Sequence, residues 1–190
     1  ASASLIILPA ALINVLIGAA TLLVPVWVFV MVSFGLLWLA PLPLMALVVV
    51  RLCNRDLSRA QRGFAALTLL VLIIALLAGQ TELAMLYYPV WINAGFLLLF
   101  AWSLWFPPTM IERFARLMEG DLSPKAVIYT RKVTQVWCWF FIGNGSIAAW
   151  LAWTANWHWW AWYNGGIAYG LMGLLMGIEW LVRRQVKKHG

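Results

Sequence analysis

Apolar side chains run almost without interruption through residues 1–50, and no charged residue occurs among them. About 20 apolar residues cross about 30 Å of hydrocarbon, so this stretch is long enough for two crossings. Pro25 falls in its first half, and Gly35, Pro41 and Pro43 punctuate the second. A turn around Ser33–Gly35 therefore predicts spans at about 9–31 and 36–52. Proline within a span is tolerated where neighbouring helices satisfy the freed carbonyl. The alternative division, one long span and a surface helix, gives five crossings in all. Further apolar runs predict spans at about 63–79, 85–106, 133–154 and 162–182. The expected fold is all-α: a polytopic transmembrane helix bundle of six spans, forming a single membrane domain over residues 1–190.

Residues 107–132 form the one sizeable polar loop, and it has a pattern of its own. Thr109-Met110-Ile111-Glu112 reads as a capping box, in which the threonine oxygen and the glutamate each satisfy a backbone N–H of the first turn. Met110, Ile111, Phe114, Leu117 and Met118 recur at helical spacing, opposite Glu112, Arg113, Arg116 and Glu119. Gly120 is a natural stop, and Ser123-Pro124 has the residues of a new helix start. An amphipathic helix at about 109–119, lying on the cytoplasmic membrane surface, is expected. Docking of a partner enzyme is its sharper alternative.

Composition agrees with a membrane class: 65% of residues are hydrophobic, 10% are charged, and the mean hydropathy is +0.90. Soluble domains carry about 25% charged residues, so too few charges are present to solvate a globular surface. The net charge of +7 comes from basic residues in three segments. Arg51, Arg55, Arg59 and Arg62 lie between the second and third spans; Arg113, Arg116, Lys125, Arg131 and Lys132 lie between the fourth and fifth; Arg183, Arg184, Lys187 and Lys188 follow the sixth. Six alternating spans put all three segments on one side, and the positive-inside bias then places both termini in the cytoplasm. Basic residues beside spans suit anionic lipid headgroups and not nucleic acid. No basic n-region precedes the first apolar run, so no signal peptide is expected; the start at Ala1 suits a trimmed N-terminus. Cys53 and Cys138 form no motif, and no disulfide is expected.

Candidate chemistry is sparse. Gly166, Gly170, Gly173 and Gly177 make one stripe on the sixth span, which predicts close helix packing within the chain or at a homodimer seam. Thr134, Trp137, Phe141, Asn144 and Ala148 share a face of the fifth span. Amides at Asn14, Asn93, Asn144 and Asn164 need partners in lipid, which makes them interhelical pins; with Gln135, the last three are also the candidates for lining a ligand pocket. Glu179 precedes Arg183 in the favourable order for a helical ion pair. Trp153, Trp157, Trp159, Trp160 and Trp162 read as an aromatic belt at the external surface. His158 and His189 are expected on opposite sides, so no metal or haem site is expected, and no catalytic constellation or cofactor motif is present.

Two resemblances add to this reading. The first runs from Tyr88-Pro89-Val90 through Pro107-Pro108-Thr109-Met110-Ile111-Glu112-Arg113. It continues in Tyr129-Thr130-Arg131-Lys132-Val133-Thr134-Gln135-Val136-Trp137-Cys138. These stretches, with Phe140-Phe141…Asn144-Gly145-Ser146 and Trp162-Tyr163-Asn164…Glu179, resemble an uncharacterised family of bacterial inner-membrane proteins. That family's genes often accompany acyl-carrier, ketosynthase and acyltransferase genes of aryl-polyene-type clusters. The resemblance covers roughly residues 80–185; the first 60 match in hydrophobicity alone. More distantly, Trp137…Phe140-Phe141…Asn144…Trp162 and Glu82…Pro89 are similar to the intracellular septation protein A family. Tyr163-Asn164 stands where that family has a Phe-Lys pair, so no lysine role carries over. The resemblances imply a multi-pass protein of the bacterial inner membrane that works in envelope or membrane-lipid biogenesis.

The expected function is that of a non-enzymatic accessory or scaffold protein. Its partners would be anionic lipid headgroups, envelope or acyl-chain biosynthesis enzymes, and a second copy of the chain. The alternative is a small transporter or lipid/polyene-carrier translocator with an Asn-lined cavity. A membrane acyltransferase ranks third, because the catalytic histidine is missing. A polar cavity reaching Asn93, Asn144 and Asn164 favours translocation, and a tightly packed interior favours a scaffold.

Overall fold

The computed structural model describes residues 23–24, 26–53 and 59–188, and every regular element among them is helical. Most of the expected first span, with Asn14 and Pro25, lies outside the described residues, as do Arg55 and His189. The chain divides into two compact units, residues 1–85 and 86–190.

In the first unit, helical residues 26–33 end at Gly35, whose φ of 69° is the left-handed conformation that glycine adopts without strain. Leu36 N–H donates to the Met31 carbonyl at 2.9 Å and Gly35 N–H to that of Val32 at 3.1 Å, the bond pair of a Schellman stop. This is the turn expected at Ser33–Gly35. The segment after it differs from a span over 36–52. Leu37–Leu39 is a single 3-10 turn, and helix α1 runs only over Leu42–Cys53. Pro41 and Pro43 explain the late start, since proline lacks the N–H a helix interior needs and is at home only in a first turn. Twelve residues rise about 18 Å, short of a bilayer core. Helix α2, Arg59–Leu77, packs against α1 and closes with a second Schellman stop at Gly79.

Among the described residues, three helices are long and apolar enough to cross a membrane: α3 (Thr81–Trp105), α5 (Pro124–Trp153) and the rod over Trp157–Arg184. Each of the last two departs from the boundaries its apolar run suggests. Ser123 accepts from Ala126 N–H and Pro124 opens the first turn, so α5 begins well before the apolar stretch and lasts 30 residues. The rod comprises α6 (Trp157–Trp162), a π-helical turn (Tyr163–Ile167) and α7 (Ala168–Lys188). Its π turn coincides with Asn164-Gly165-Gly166, three residues with weak preference for the α-helix.

Between α3 and α5 stands α4, Met110–Glu119, with Thr109 as N-cap and both bonds of the capping box formed. Gly120, at φ 77°, ends it. The core of the second unit is aromatic. Phe100 of α3 meets Phe141 of α5 edge-on at 5.1 Å, Val133, Trp137 and Cys138 complete the buried cluster, and the exposed Phe96 stacks on Phe141 from outside at 5.4 Å. Met172 and Leu175 of α7 pack against it, as do Met110 and Ile111 of α4.

Candidate functional site

Polar side chains inside an apolar bundle must find one another, and three of them do. Asn93 on α3, Asn144 on α5 and Tyr163 at the π turn are all buried. Tyr163 Oη–H donates to Asn144 Oδ1 at 2.9 Å, Asn144 Nδ2 donates to Asn93 Oδ1 at 2.9 Å, and Asn93 Nδ2 donates to the Pro89 carbonyl at 2.8 Å. The chain of bonds crosses three helices and ends on backbone. Thr134, Trp137, Phe141, Asn144 and Ala148 are buried together, as the helical spacing predicts, and this shared face aims Asn144 at α3. Gly145 permits the approach: a Cβ there would stand 3.1 Å from Asn93 Cβ.

A second link fixes the rod to α3 one turn before Pro89. The proline ring removes a helical donor and crowds the preceding turn. In that turn the Leu86 carbonyl accepts from Trp160 Nε1 at 3.0 Å. Trp160 is 1% exposed, which corrects its assignment to the aromatic belt. An indole buried among helices needs a partner for its N–H, and the turn at Pro89 supplies it. Trp153, Trp159 and Trp162 are exposed and Trp157 is half-buried, while His158 sits edge-on to Trp159.

The four amide candidates separate. Asn93 and Asn144 bond directly, but Asn164 donates to the Trp160 carbonyl of its own helix at 3.0 Å. Gln135 is exposed and points away from the shared face of α5. Tyr163 was missed because the sequence argument followed amides, and a tyrosine beside a run of tryptophans carries no such signal. The Asn164-Gly165-Gly166 run was the signal available for the π turn. The glycine stripe is also placed differently from an intrachain packing seam. Among the described residues, nothing lies within 4 Å of where a Cβ would stand at Gly166, Gly170, Gly173 or Gly177. The rod instead packs through Ala168, Met172, Leu175 and Glu179, which lie on its opposite side.

At the other end of the same helices, Arg183 joins two carboxylates. It bonds Glu179 at 3.1 Å, as expected of the i, i+4 pair, and Glu119 of α4 at 3.2 Å. Tyr129 Oη–H donates to the Glu179 carbonyl at 3.2 Å, bringing the start of α5 to the end of α7. A cavity of about 40 Å³ lies beneath, lined by Ile111, Ala115, Leu122 and Ala126 as well as these polar groups. It has room for water and not for a metabolite.

Chemically, the amide–phenol chain is neutral and its members are bonded at 2.8–2.9 Å, leaving no space between them for a ligand. Among the described residues, no buried side-chain nitrogen or oxygen lacks a partner, and no three His, Cys, Asp or Glu side chains gather as metal ligands would. No family model, curated protein or solved structure matches the chain.

Proposed function

We propose that this chain is a multi-pass protein of the bacterial inner membrane, crossed by α3, α5 and the rod over Trp157–Arg184, with a cytoplasmic C-terminus. In this reading it acts without catalysis, as an accessory or scaffold protein in envelope or membrane-lipid biogenesis. One observation carries the scaffold over the translocator: the Asn93–Asn144–Tyr163 chain closes on itself and on backbone instead of lining a cavity. Amides that bind cargo need free donors and acceptors in the resting protein, whereas amides that hold helices in register engage one another. The envelope setting is what the resemblance over residues 80–185 implies, and it rests on that alone.

The test is complementation of a deletion strain, read by profiling its lipid extract. Asn144→Leu should restore the profile in proportion to the folded protein it leaves, because the lost group contacts a neighbouring helix. An Asn144→Leu protein that is folded and abundant yet fails to restore the profile would overturn the scaffold reading and favour the translocator.

A further inference from the structure

The side chains of α4 divide into three sectors at about 100° per residue. Ile111, Glu112, Ala115 and Glu119 turn towards the protein: Glu112 and Ala115 are buried, and Glu119 bonds Arg183. Arg113 and Arg116 form the second sector. Phe114, Leu117 and Met118 form the third, and they are 52%, 83% and 76% exposed. The apolar residues therefore do not share one buried face. Most of them are turned away from the core while the buried side of the helix carries two glutamates.

We propose that α4 is an in-plane membrane helix, seated in the corner between the protein and the inner headgroup layer of an anionic phospholipid bilayer. Three observations select that occupant. First, depth: Met110 N–H donates to Ser103 Oγ at 2.9 Å, and Ser103 Oγ–H donates to the Phe100 carbonyl at 2.7 Å. These bonds tie the first turn of α4 to the last turn of α3, where Trp102 and Trp105, with Phe106 just beyond, are exposed as a headgroup-level girdle would be. Second, charge: the α4 acids are engaged by Arg116 and Arg183, whereas Arg113, Lys125, Arg131 and Lys132 have no carboxylate partner among the described residues. Arg113, whose Nε donates to the Pro108 carbonyl at 2.9 Å, borders the apolar sector. The other three stand at the start of α5, the helix α4 packs on. Cations without acidic partners at this end suit phosphate above acyl chains. Third, exclusion: the same cations would repel a second copy presenting the same surface.

The inference rests on α3 crossing the bilayer, so its test reports on both. The full chain, with Cys53→Ser and Cys138→Ala, receives a fluorophore through Leu117→Cys, Met118→Cys or Leu98→Cys. It is reconstituted in phosphatidylcholine vesicles containing phosphatidylglycerol. Nitroxides near the top of the acyl chain should quench positions 117 and 118 more than nitroxides near its end, and position 98 should show the reverse order. At equal mole fraction, nitroxide phosphatidylglycerol should quench position 117 about twofold more than its phosphatidylcholine counterpart. Arg113→Gln with Arg131→Gln should bring that ratio towards one. Quenching of 117 and 118 by aqueous iodide alone, or by neither reagent as under a protein partner, overturns the in-plane helix while position 98 still reports a span. A ratio of one in the parent overturns the anionic preference. Loss of lipid quenching at 98 overturns the spanning reading of α3 and this inference with it.

Discussion

A hydrogen bond between two amides inside a bundle adds modestly to stability, and its larger effect is on register. Asn144 makes one such bond, to Asn93, and accepts a second from the Tyr163 phenol. Intramembrane bonds average about 0.6 kcal/mol by mutation. Asn144→Leu should therefore lower unfolding stability by about 1 kcal/mol, and Tyr163→Phe by about half of that, measured by denaturant titration in mixed micelles. Gln135→Leu should change nothing measurable, because the side chain is exposed on the opposite face. Equal losses in all three variants would contradict the network. Asn93 and Asn144 were legible as candidates because an amide in an apolar run must be satisfied by protein. The phenol that completes the chain was not, because the same argument selects the neighbouring amide, Asn164, which bonds its own helix instead. Trp160 was hidden for a related reason: a run of tryptophans reads as a belt, and only the Leu86 carbonyl beside Pro89 distinguishes the buried one.

Among the helices, the signals that proved readable were those at the ends. The Thr109…Glu112 box, Ser123-Pro124 and Gly120 each mark a boundary through a specific bond or backbone conformation, and each is observed. Hydropathy alone was less informative about length, since α5 extends through polar residues to its cap and α1 is cut short by prolines. Losing the cap at Thr109 should cost α4 about 1 kcal/mol. In Thr109→Ala, the amides of α4's first turn should exchange with deuterium several-fold faster while those of α5 keep their protection. Packing gives a sharper contrast. Gly145 stands against Asn93 and the glycine stripe stands against nothing within 4 Å among the described residues. Gly145→Leu should thus destabilise the chain by about 1–3 kcal/mol through overpacking. Gly170→Leu should leave thermal stability in detergent unchanged, and any loss of an oligomer in that variant would place a second helix on the stripe. A large loss of monomer stability in Gly170→Leu would restore the stripe to the chain's own interior.

For the molecule in its membrane, orientation follows from where the helices bring the charges. Helix α5 has Lys125 in its first turn, with Arg131 and Lys132 two turns on; His158 lies past its other end. Arg183 closes on Glu119, and Tyr129 on the Glu179 backbone, so the basic end of α7 meets the basic start of α5. The turn between α5 and α6 carries no Lys or Arg, and the exposed Trp153 and Trp159 flank it in the two helices. Charge and geometry thus agree that Arg113 to Lys132 and Arg183 lie at one end of these helices, the end that the proposed topology places in the cytoplasm by the positive-inside bias. With Cys53 and Cys138 replaced, a membrane-impermeant maleimide added to spheroplasts should label His158→Cys. It should leave Lys125→Cys unmodified until the membrane is permeabilised. Both positions lie at the surface of the protein, so access is decided by the bilayer and not by burial. Labelling of position 125 in sealed spheroplasts, with 158 protected, would invert the chain. Labelling of both would mean that α5 does not cross, and the bundle would then lose the helix that carries Asn144.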